Sequence, residues 1–175
     1  MKGETLPYKT LSIRISTNGF CFCIYNAAEP DSIQYHFHRA DNNCSLYANL
    51  CRAIEDCPLH MDDVTDIKAI IATNEFTTLP AEYDEKQNHK IYYRCCFPKA
   101  DTNVEIIANR LTAHNLTVLF PVEKNIYNRL AQMGNVNYYT PASILPAPRS
   151  TLLTTPSAAA ALRKTTTNVC TATLT

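Results

Sequence analysis

Glycine is scarce in this sequence, which contains only Gly3, Gly19 and Gly134 among its 175 residues. Loops that cradle nucleotide phosphates use glycine where the backbone must come close to the ligand. Of the three, Gly19 alone lies at a predicted turn between strands. The sequence therefore argues against a glycine-rich phosphate loop anywhere except at Gly19.

Tryptophan is absent, and the longest apolar runs have only the length of a strand. A transmembrane helix needs about 20 consecutive apolar residues, so none is predicted. The N-terminal residues Met1 to Thr5 are polar, and no basic segment leads into an apolar one, which argues against a secretion signal. We therefore expect a cytoplasmic protein without a membrane partner.

Acidic residues are absent from the end of the chain, since no aspartate or glutamate follows Glu123. Over the whole sequence, 16 basic and 16 acidic residues give a net charge of zero. Proteins that bind nucleic acid through their charge usually carry an excess of lysine and arginine. The balance predicts no nucleic-acid partner, and the basic residues after Glu123 are too dispersed to form a binding patch.

Cysteine is more abundant, with eight residues, but no export signal accompanies them. In a reducing compartment thiols stay free, and within apolar segments a thiol behaves as a small hydrophobic group. We therefore expect free thiols rather than disulfides. The eight are Cys21, Cys23, Cys44, Cys51, Cys57, Cys95, Cys96 and Cys170.

The chain opens with the pattern of an antiparallel meander. Apolar and polar residues alternate from Leu11 to Ser16, Asn18 and Gly19 form a strong hairpin signal, and Phe20 to Tyr25 is an apolar run. A third strand is predicted from Ile33 to Phe37, after a turn at residues 29–31, Glu-Pro-Asp.

A helix and a fourth strand follow the meander. Leucine, isoleucine and cysteine recur at helical spacing from Leu46 to Cys57, after a candidate N-cap at Asn42 and Asn43, and Pro58 ends the helix. Residues 67–73 are a nearly continuous apolar run, typical of a central strand covered on both faces. The predicted opening order is β-β-β-α-β.

A second group of elements is predicted further along the chain. Its members are a polar stretch with helical propensity at 81–87, a strand at 91–97, a hairpin of strands at 104–108 and 116–120 around His114 and Asn115, a helix from Val122 to Met133 closed by Gly134, a strand at 136–139 and a helical turn at 141–145.

The composition changes abruptly after Pro146. Residues 151–175 are mostly threonine and alanine, with no acidic or aromatic residue. Such a segment buries little apolar surface, so we expect residues 147–175 to form a disordered or loosely helical tail. We suggest that the tail arose by truncation or a frame shift. The alternative is a natural short protein with a flexible tail.

The order of elements resembles the first half of an actin-like fold. The sequence is most similar to an uncharacterised bacterial family with that fold. The similarity rests on Leu11 to Asn26, on Ile67 to Pro80 and on the segment from Leu119 through Ile144, and it covers about residues 8–146. In architecture that family is related to pilus-assembly and type II secretion proteins that use actin-like domains as scaffolds. The resemblance implies an α/β, RNase H-like half domain over residues 1–146, with its core at about residues 8–80 and an inserted segment at 91–146.

The resemblance also shows what this chain lacks as an ATPase. Actin-like ATPases carry an aspartate, a glycine and a hydroxyl residue in the turn between their first two strands, and these positions fall on Arg14, Ser16 and Thr17. An arginine cannot position a metal ion. The fold also binds its nucleotide between two halves, and the second half is absent from the resemblance. ATP hydrolysis is therefore not expected.

Four residues of the opening strands, Cys21, Cys23, His36 and His38, are zinc ligands by type. If the apolar residues of both strands share one face, these four share the other, with Cys23 opposite His36 and Cys21 opposite His38. Side chains about 5 and 7 Å apart on flat strands form a rectangle rather than a tetrahedron. We therefore predict packed thiols and partly exposed histidines without metal.

Other reactive side chains lack the pattern of a catalytic site. Cys95 and Cys96 are predicted to point to opposite faces of a strand, and nothing in the sequence places a base such as His89 or His114 beside them. Two acidic groups lack the order of a calcium loop and are predicted to be solvated surface. These are Asp62, Asp63 and Asp66, and Glu82, Asp84 and Glu85.

Arg14 is distinctive because it lies inside a predicted strand. We interpret it as an exposed or salt-bridged residue, and the functional alternative is a contact to an anion or a partner.

These observations together predict a non-catalytic interaction or scaffold module with a degenerate actin-like fold and an unknown protein partner. No residue is assigned as catalytic, cofactor-binding or metal-binding. The alternative is a nucleotide-binding, ATPase-like switch whose second half comes from another chain. Without that half, apolar surface should be exposed and could lead to self-association.

Overall fold

A computed structural model describes residues 9–26, 29–61 and 64–144, which belong to one unit that ends at Ile144. The predicted tail at 147–175, and Asp62 and Asp63, lie outside the described residues. The strands are β1 (Lys9–Ser16), β2 (Gly19–Asn26), β3 (Glu29–Arg39), β4 (Val64–Ile71), β5 (Thr77–Pro80), β6 (Val104–Leu111), β7 (Leu116–Glu123) and β8 (Asn135–Tyr139). The α-helices are α1 (Leu46–Glu55), α2 (His89–Cys96), α3 (Lys124–Ala131) and α4 (Pro141–Ile144).

The main sheet has the strand order β3, β2, β1, β4, β8. The first three strands form the predicted antiparallel meander, and β4 runs parallel to both β1 and β8. The chain enters β4 after α1, so the opening order is β-β-β-α-β as predicted. This is the mixed sheet of an RNase H-like half domain.

The inner face of this sheet carries the core. Successive strands place Phe22, Ile13, Ala69 and Tyr138 side by side, and all four are buried. Helices α1 and α3 contribute Leu50, Ala53, Ile126 and Leu130 to the same cluster. Both helices therefore serve the inner face of the sheet.

Helix α1 begins at Leu46 because Ser45, and not Asn42 or Asn43, is its N-cap. The Ser45 hydroxyl accepts a hydrogen bond of 3.1 Å from the backbone N–H of Ala48, which satisfies one donor of the first turn. Asn49 holds the preceding loop, since its side chain accepts from the Asp41 N–H and donates to the Asp41 carbonyl.

The chain between β4 and β8, called the inserted segment from here on, contains a second sheet of order β5, β7, β6 that is antiparallel throughout. The predicted hairpin is present, and Asn115 takes a left-handed conformation (φ 50°) before β7. Val118, Phe120 and Val122 of β7 belong to the main core.

The predicted strand at 91–97 is wrong, because these residues lie mainly in helix α2, where His89 and Tyr93 are one turn apart and buried.

Smaller corrections concern turns and strand ends. Residues 29–31, predicted as a turn, lie in β3. The first hairpin turns at Thr17 and Asn18, with Gly19 already in β2 opposite Ser16. The polar stretch at 81–87 forms two short 3₁₀ turns, Ala81–Tyr83 and Lys86–Asn88. Helix α3 begins at Lys124 rather than Val122, because β7 continues to Glu123.

Within the described ranges, no helix combines the length and the apolar character needed to cross a membrane.

Candidate functional site

The turn between β1 and β2, where an actin-like ATPase would hold phosphate, is closed by its own side chains and backbone. The Ser16 hydroxyl donates a 2.8 Å hydrogen bond to the Gly19 carbonyl. Gly19 has φ +152°, and a Cβ placed there would lie 2.4 Å from the backbone oxygen of His38 in β3. The glycine thus serves the close approach of β3, which explains its presence without a ligand.

The outer face of the main sheet is defined by two rows of side chains that run across its five strands. None of these ten residues is buried. The first row is Phe37, Cys21, Arg14, Ile70 and Tyr139, and the second is Tyr35, Cys23, Ser12, Lys68 and Asn137. The prediction that β4 is covered on both faces therefore does not hold for the described residues.

Large apolar side chains are concentrated at the β3 end of this outer face. Ile33, Tyr35 and Phe37 alternate along the strand, and 59%, 77% and 55% of each residue is exposed to solvent. Cys21 and Cys23 of β2 lie beside Phe37 and Tyr35. Exposed apolar patches of this kind mark interaction surfaces more often than isolated exposed residues do.

Positive charge lies at the centre of the outer face. The Lys68 ammonium donates a 2.8 Å hydrogen bond to the Tyr25 hydroxyl, which is the main reason that its pKa is raised. Arg14 is exposed and makes no ion pair within the described part of the chain. The face therefore combines apolar side chains with one unpaired guanidinium.

The predicted pairing of cysteines with histidines is wrong by one residue. Cys21 lies opposite Phe37 and Cys23 opposite Tyr35, whereas His36 and His38 lie opposite Phe22 and Phe20 on the inner face. The cysteines and histidines thus lie on opposite faces of the sheet. In the described ranges, no three histidine, cysteine, aspartate or glutamate side chains are grouped so that they could hold a metal ion.

Cys95 and Cys96 lie on helix α2 and are both exposed, so the predicted arrangement on a strand does not apply. Cys96 Sγ is 3.4 Å from the Thr77 hydroxyl. His89 belongs to the same helix but is bonded to Asp84, and His114 lies in the turn before β7. The structure therefore does not show an activated cysteine at this place.

A buried polar cluster in the inserted segment was not predicted. Asp84 Oδ1 is 2.6 Å from His89 Nε2, and Asp84 Oδ2 accepts a 2.8 Å hydrogen bond from the Thr117 hydroxyl. Both contacts lower the pKa of the Asp84 carboxyl, and the hydrogen bond from Thr117 has the larger effect. The sequence could not reveal the cluster, because Thr117 lies 33 residues from Asp84.

The end of β8, which also carries the family resemblance, has a second polar network. The Ser143 hydroxyl donates to the side-chain oxygen of Asn109 (2.7 Å), and the amide nitrogen of Asn109 donates to the Tyr138 carbonyl (2.9 Å). These bonds tie α4 and β6 to the edge of the main sheet.

The acidic group at Glu82, Asp84 and Glu85, predicted to be solvated surface, differs in exposure. Asp84 is mostly buried, whereas Glu82 and Glu85 are exposed.

Comparisons with known proteins agree with this architecture. Residues 1–151 match the family described as "Protein of unknown function (DUF3822)". The chain is similar to a crystal structure from Bacteroides thetaiotaomicron VPI-5482, described as a protein with actin-like ATPase fold and unknown function. Sequence identity is 25% and the TM-score is 0.71, with 82% of this chain and 56% of that chain covered. No curated protein matches the sequence.

The chain thus spans little more than half of the length of that structure, and the match supports the fold that the sequence resemblance implied. Because the family match extends over most of the sequence, the chain belongs to the DUF3822 family of proteins of unknown function, and it has an actin-like fold.

Proposed function

We propose that this protein is a non-catalytic interaction module that binds a protein partner through the outer face of its main sheet. The observation that supports the proposal most strongly is the exposure of Ile33, Tyr35 and Phe37 in one strand of that face. Burying these side chains against a partner would remove apolar surface from water, at about 25 cal/mol per Å².

The partner that fits this face is an amphipathic helix with at least one acidic side chain. Parallel strands such as β1, β4 and β8 are usually covered by helices on both faces of the sheet, and here α1 and α3 occupy the inner face. An apolar helix surface would pack on Tyr35 and Phe37. An acidic residue would pair with Arg14, which would otherwise be desolvated without a counter-charge.

Site-specific photo-crosslinking in cells tests this proposal. With p-benzoylphenylalanine in place of Tyr35, we expect a defined protein adduct, because this position lies within the proposed interface. The same amino acid in place of Tyr83 is the matched control, since Tyr83 is 55% exposed but lies in the inserted segment. Adducts of equal yield and identity at both positions, or none at Tyr35, would contradict the proposal. Arg14→Glu should reduce the Tyr35 adduct severalfold.

The alternative function is that of a nucleotide-dependent switch, and it is favoured by the actin-like ATPase fold of the similar structure. It is disfavoured by Arg14 at the position of the metal-binding aspartate and by the closed turn at Gly19. We expect ATP with magnesium to leave the Tm unchanged. A ligand that binds the folded state at a hundredfold excess over Kd would stabilise it by about 2.7 kcal/mol, so a clear rise in Tm would favour the switch.

A further inference from the structure

A cleft of about 750 Å³ lies beside β6, and none of its lining residues belongs to the two rows of the outer face. Its volume is in the range of pockets that hold small ligands or short peptides. Lining residues come from the segment before and into α2, from β6 and from α3. They are Asp84, Lys86, Gln87, His89, Lys90, Glu105, Ile106, Ile107, Ala108 and Tyr127.

The cleft follows the free edge of β6. Four consecutive residues of this strand, Glu105 to Ala108, line it. Successive side chains of a strand point to opposite faces, so four in a row reach one cleft only along the edge of the strand. In the described part of the chain β6 pairs with β7 alone, which leaves the backbone groups on its other side without a strand partner.

Two lysines and a histidine border this edge. Lys86 makes no ion pair within the described residues, and Lys90 lies 3.8 Å from Glu105 in an exposed, weak pair. His89 is nine-tenths buried, and Asp84 fixes its ring through Nε2. No hydrogen bond involves its other ring nitrogen, Nδ1, in the described structure, although His89 lines the cleft.

Both carboxylate oxygens of Asp84 are already engaged, by His89 and by Thr117. Asp84 therefore orients the histidine. Lys90 is paired with Glu105, so Lys86 is the lysine of the cleft that has no carboxylate partner among the described residues. Ile106 and Ile107 add apolar surface beside the same strand edge.

We propose that this cleft binds an extended peptide segment with an acidic group, which pairs with β6 as a fourth strand of the inserted sheet. Backbone hydrogen bonds to the β6 edge would supply affinity, as in other cases of strand addition. The peptide carboxylate would pair with the Lys86 ammonium. Nδ1 of His89, whose Nε2–H is donated to Asp84, would accept a hydrogen bond from a peptide N–H. This site is independent of the outer face and of the proposed function.

Peptide titration of the isotopically labelled full chain tests the site. The probe is the acetylated, amidated pentapeptide Thr-Val-Thr-Val-Glu. We expect amide shifts centred on residues 105–108, and binding that is at least about fivefold weaker when the glutamate is replaced by glutamine. A glutamine peptide with a free C-terminal carboxylate shows whether a chain end can supply the acidic group. N-methylation of a peptide residue should abolish binding if the N–H of that residue pairs with β6. Because every second N–H of a strand faces its neighbour, the peptide positions are N-methylated one at a time.

Lys86→Glu should weaken binding of the acidic peptide roughly tenfold, and Lys86→Ala should weaken it less. The matched control is Lys99→Glu, an exposed lysine that does not line the cleft and should leave binding unchanged. The proposal is overturned by absent shifts at millimolar peptide or by shifts centred elsewhere. Equal binding of the acidic and both glutamine peptides, or of all N-methylated peptides, would overturn it as well.

Discussion

Replacing Gly19 with alanine is expected to lower the free energy of unfolding by about 3 kcal/mol or more, because the new methyl group has no room. The added Cβ would lie 2.4 Å from the His38 carbonyl oxygen and 2.8 Å from the Phe37 ring. The ring can move, but the backbone oxygen of β3 can move only if the strand pairing shifts. Chemical denaturation of both proteins measures the loss.

Gly134→Ala is the matched control for this experiment. Gly134 has nearly the same φ, +155°, but a Cβ there would meet only the Ile67 Cδ1 atom, at an ordinary 3.7 Å. Its loss should be about 1 kcal/mol, the cost of the backbone conformation alone. Equal losses in the two variants would contradict the explanation, since they would show that the approach of β3 adds nothing at Gly19.

The meander was predictable because its signals are local. Alternation in β1, the turn signal at Asn18 and Gly19, and the apolar run of β2 each fix one element from neighbouring residues alone. The prediction of a strand at 91–97 was wrong because it also relied on local residue preferences alone. Its isoleucine and tyrosines favour strands, but the ring contact of Tyr93 with Phe97, four residues later, fits helical spacing.

The register of β3 could not be predicted, because the usual inference from apolar residues fails there. Burial was expected for the face that carries Ile33, Tyr35 and Phe37, and the structure exposes it. The pairing therefore moves by one residue, which exchanges the faces of the histidines and the aromatic residues. The proposed function rests on the same observation, because Ile33, Tyr35 and Phe37 are apolar residues that the fold of this chain does not bury.

The cleft and the buried Asp84 cluster depend on residues that are distant in sequence. Asp84 and His89 are five residues apart in a polar stretch that gives no periodic signal, and Thr117 belongs to a different strand. Only the tertiary packing of β7 against this stretch brings them together. A sequence analysis could identify the types of side chain involved but not their contact.

A comparison of Phe22→Ala with Tyr35→Ala tests the assignment of the two faces. Phe22 is fully buried on the inner face, opposite Ile13 and His36, so its truncation should cost about 3–5 kcal/mol of unfolding free energy. Tyr35 is 77% exposed on the outer face, so its truncation should change stability by less than about 1 kcal/mol. Thermal and chemical denaturation give both values.

The pair also separates folding from binding. If Tyr35 contributes to an interface, Tyr35→Ala should remain folded but lose the partner. A photo-crosslinking residue in place of Phe37, on the same face, should capture the partner when Tyr35 is present and not in the Tyr35→Ala variant. A large loss of stability in Tyr35→Ala would instead show that Tyr35 supports the fold itself. Tolerance of Phe22→Ala would mean that the inner face is not the core. Because the two residues lie on neighbouring strands but on opposite faces, a large difference between the two losses of stability supports the assignment of the faces.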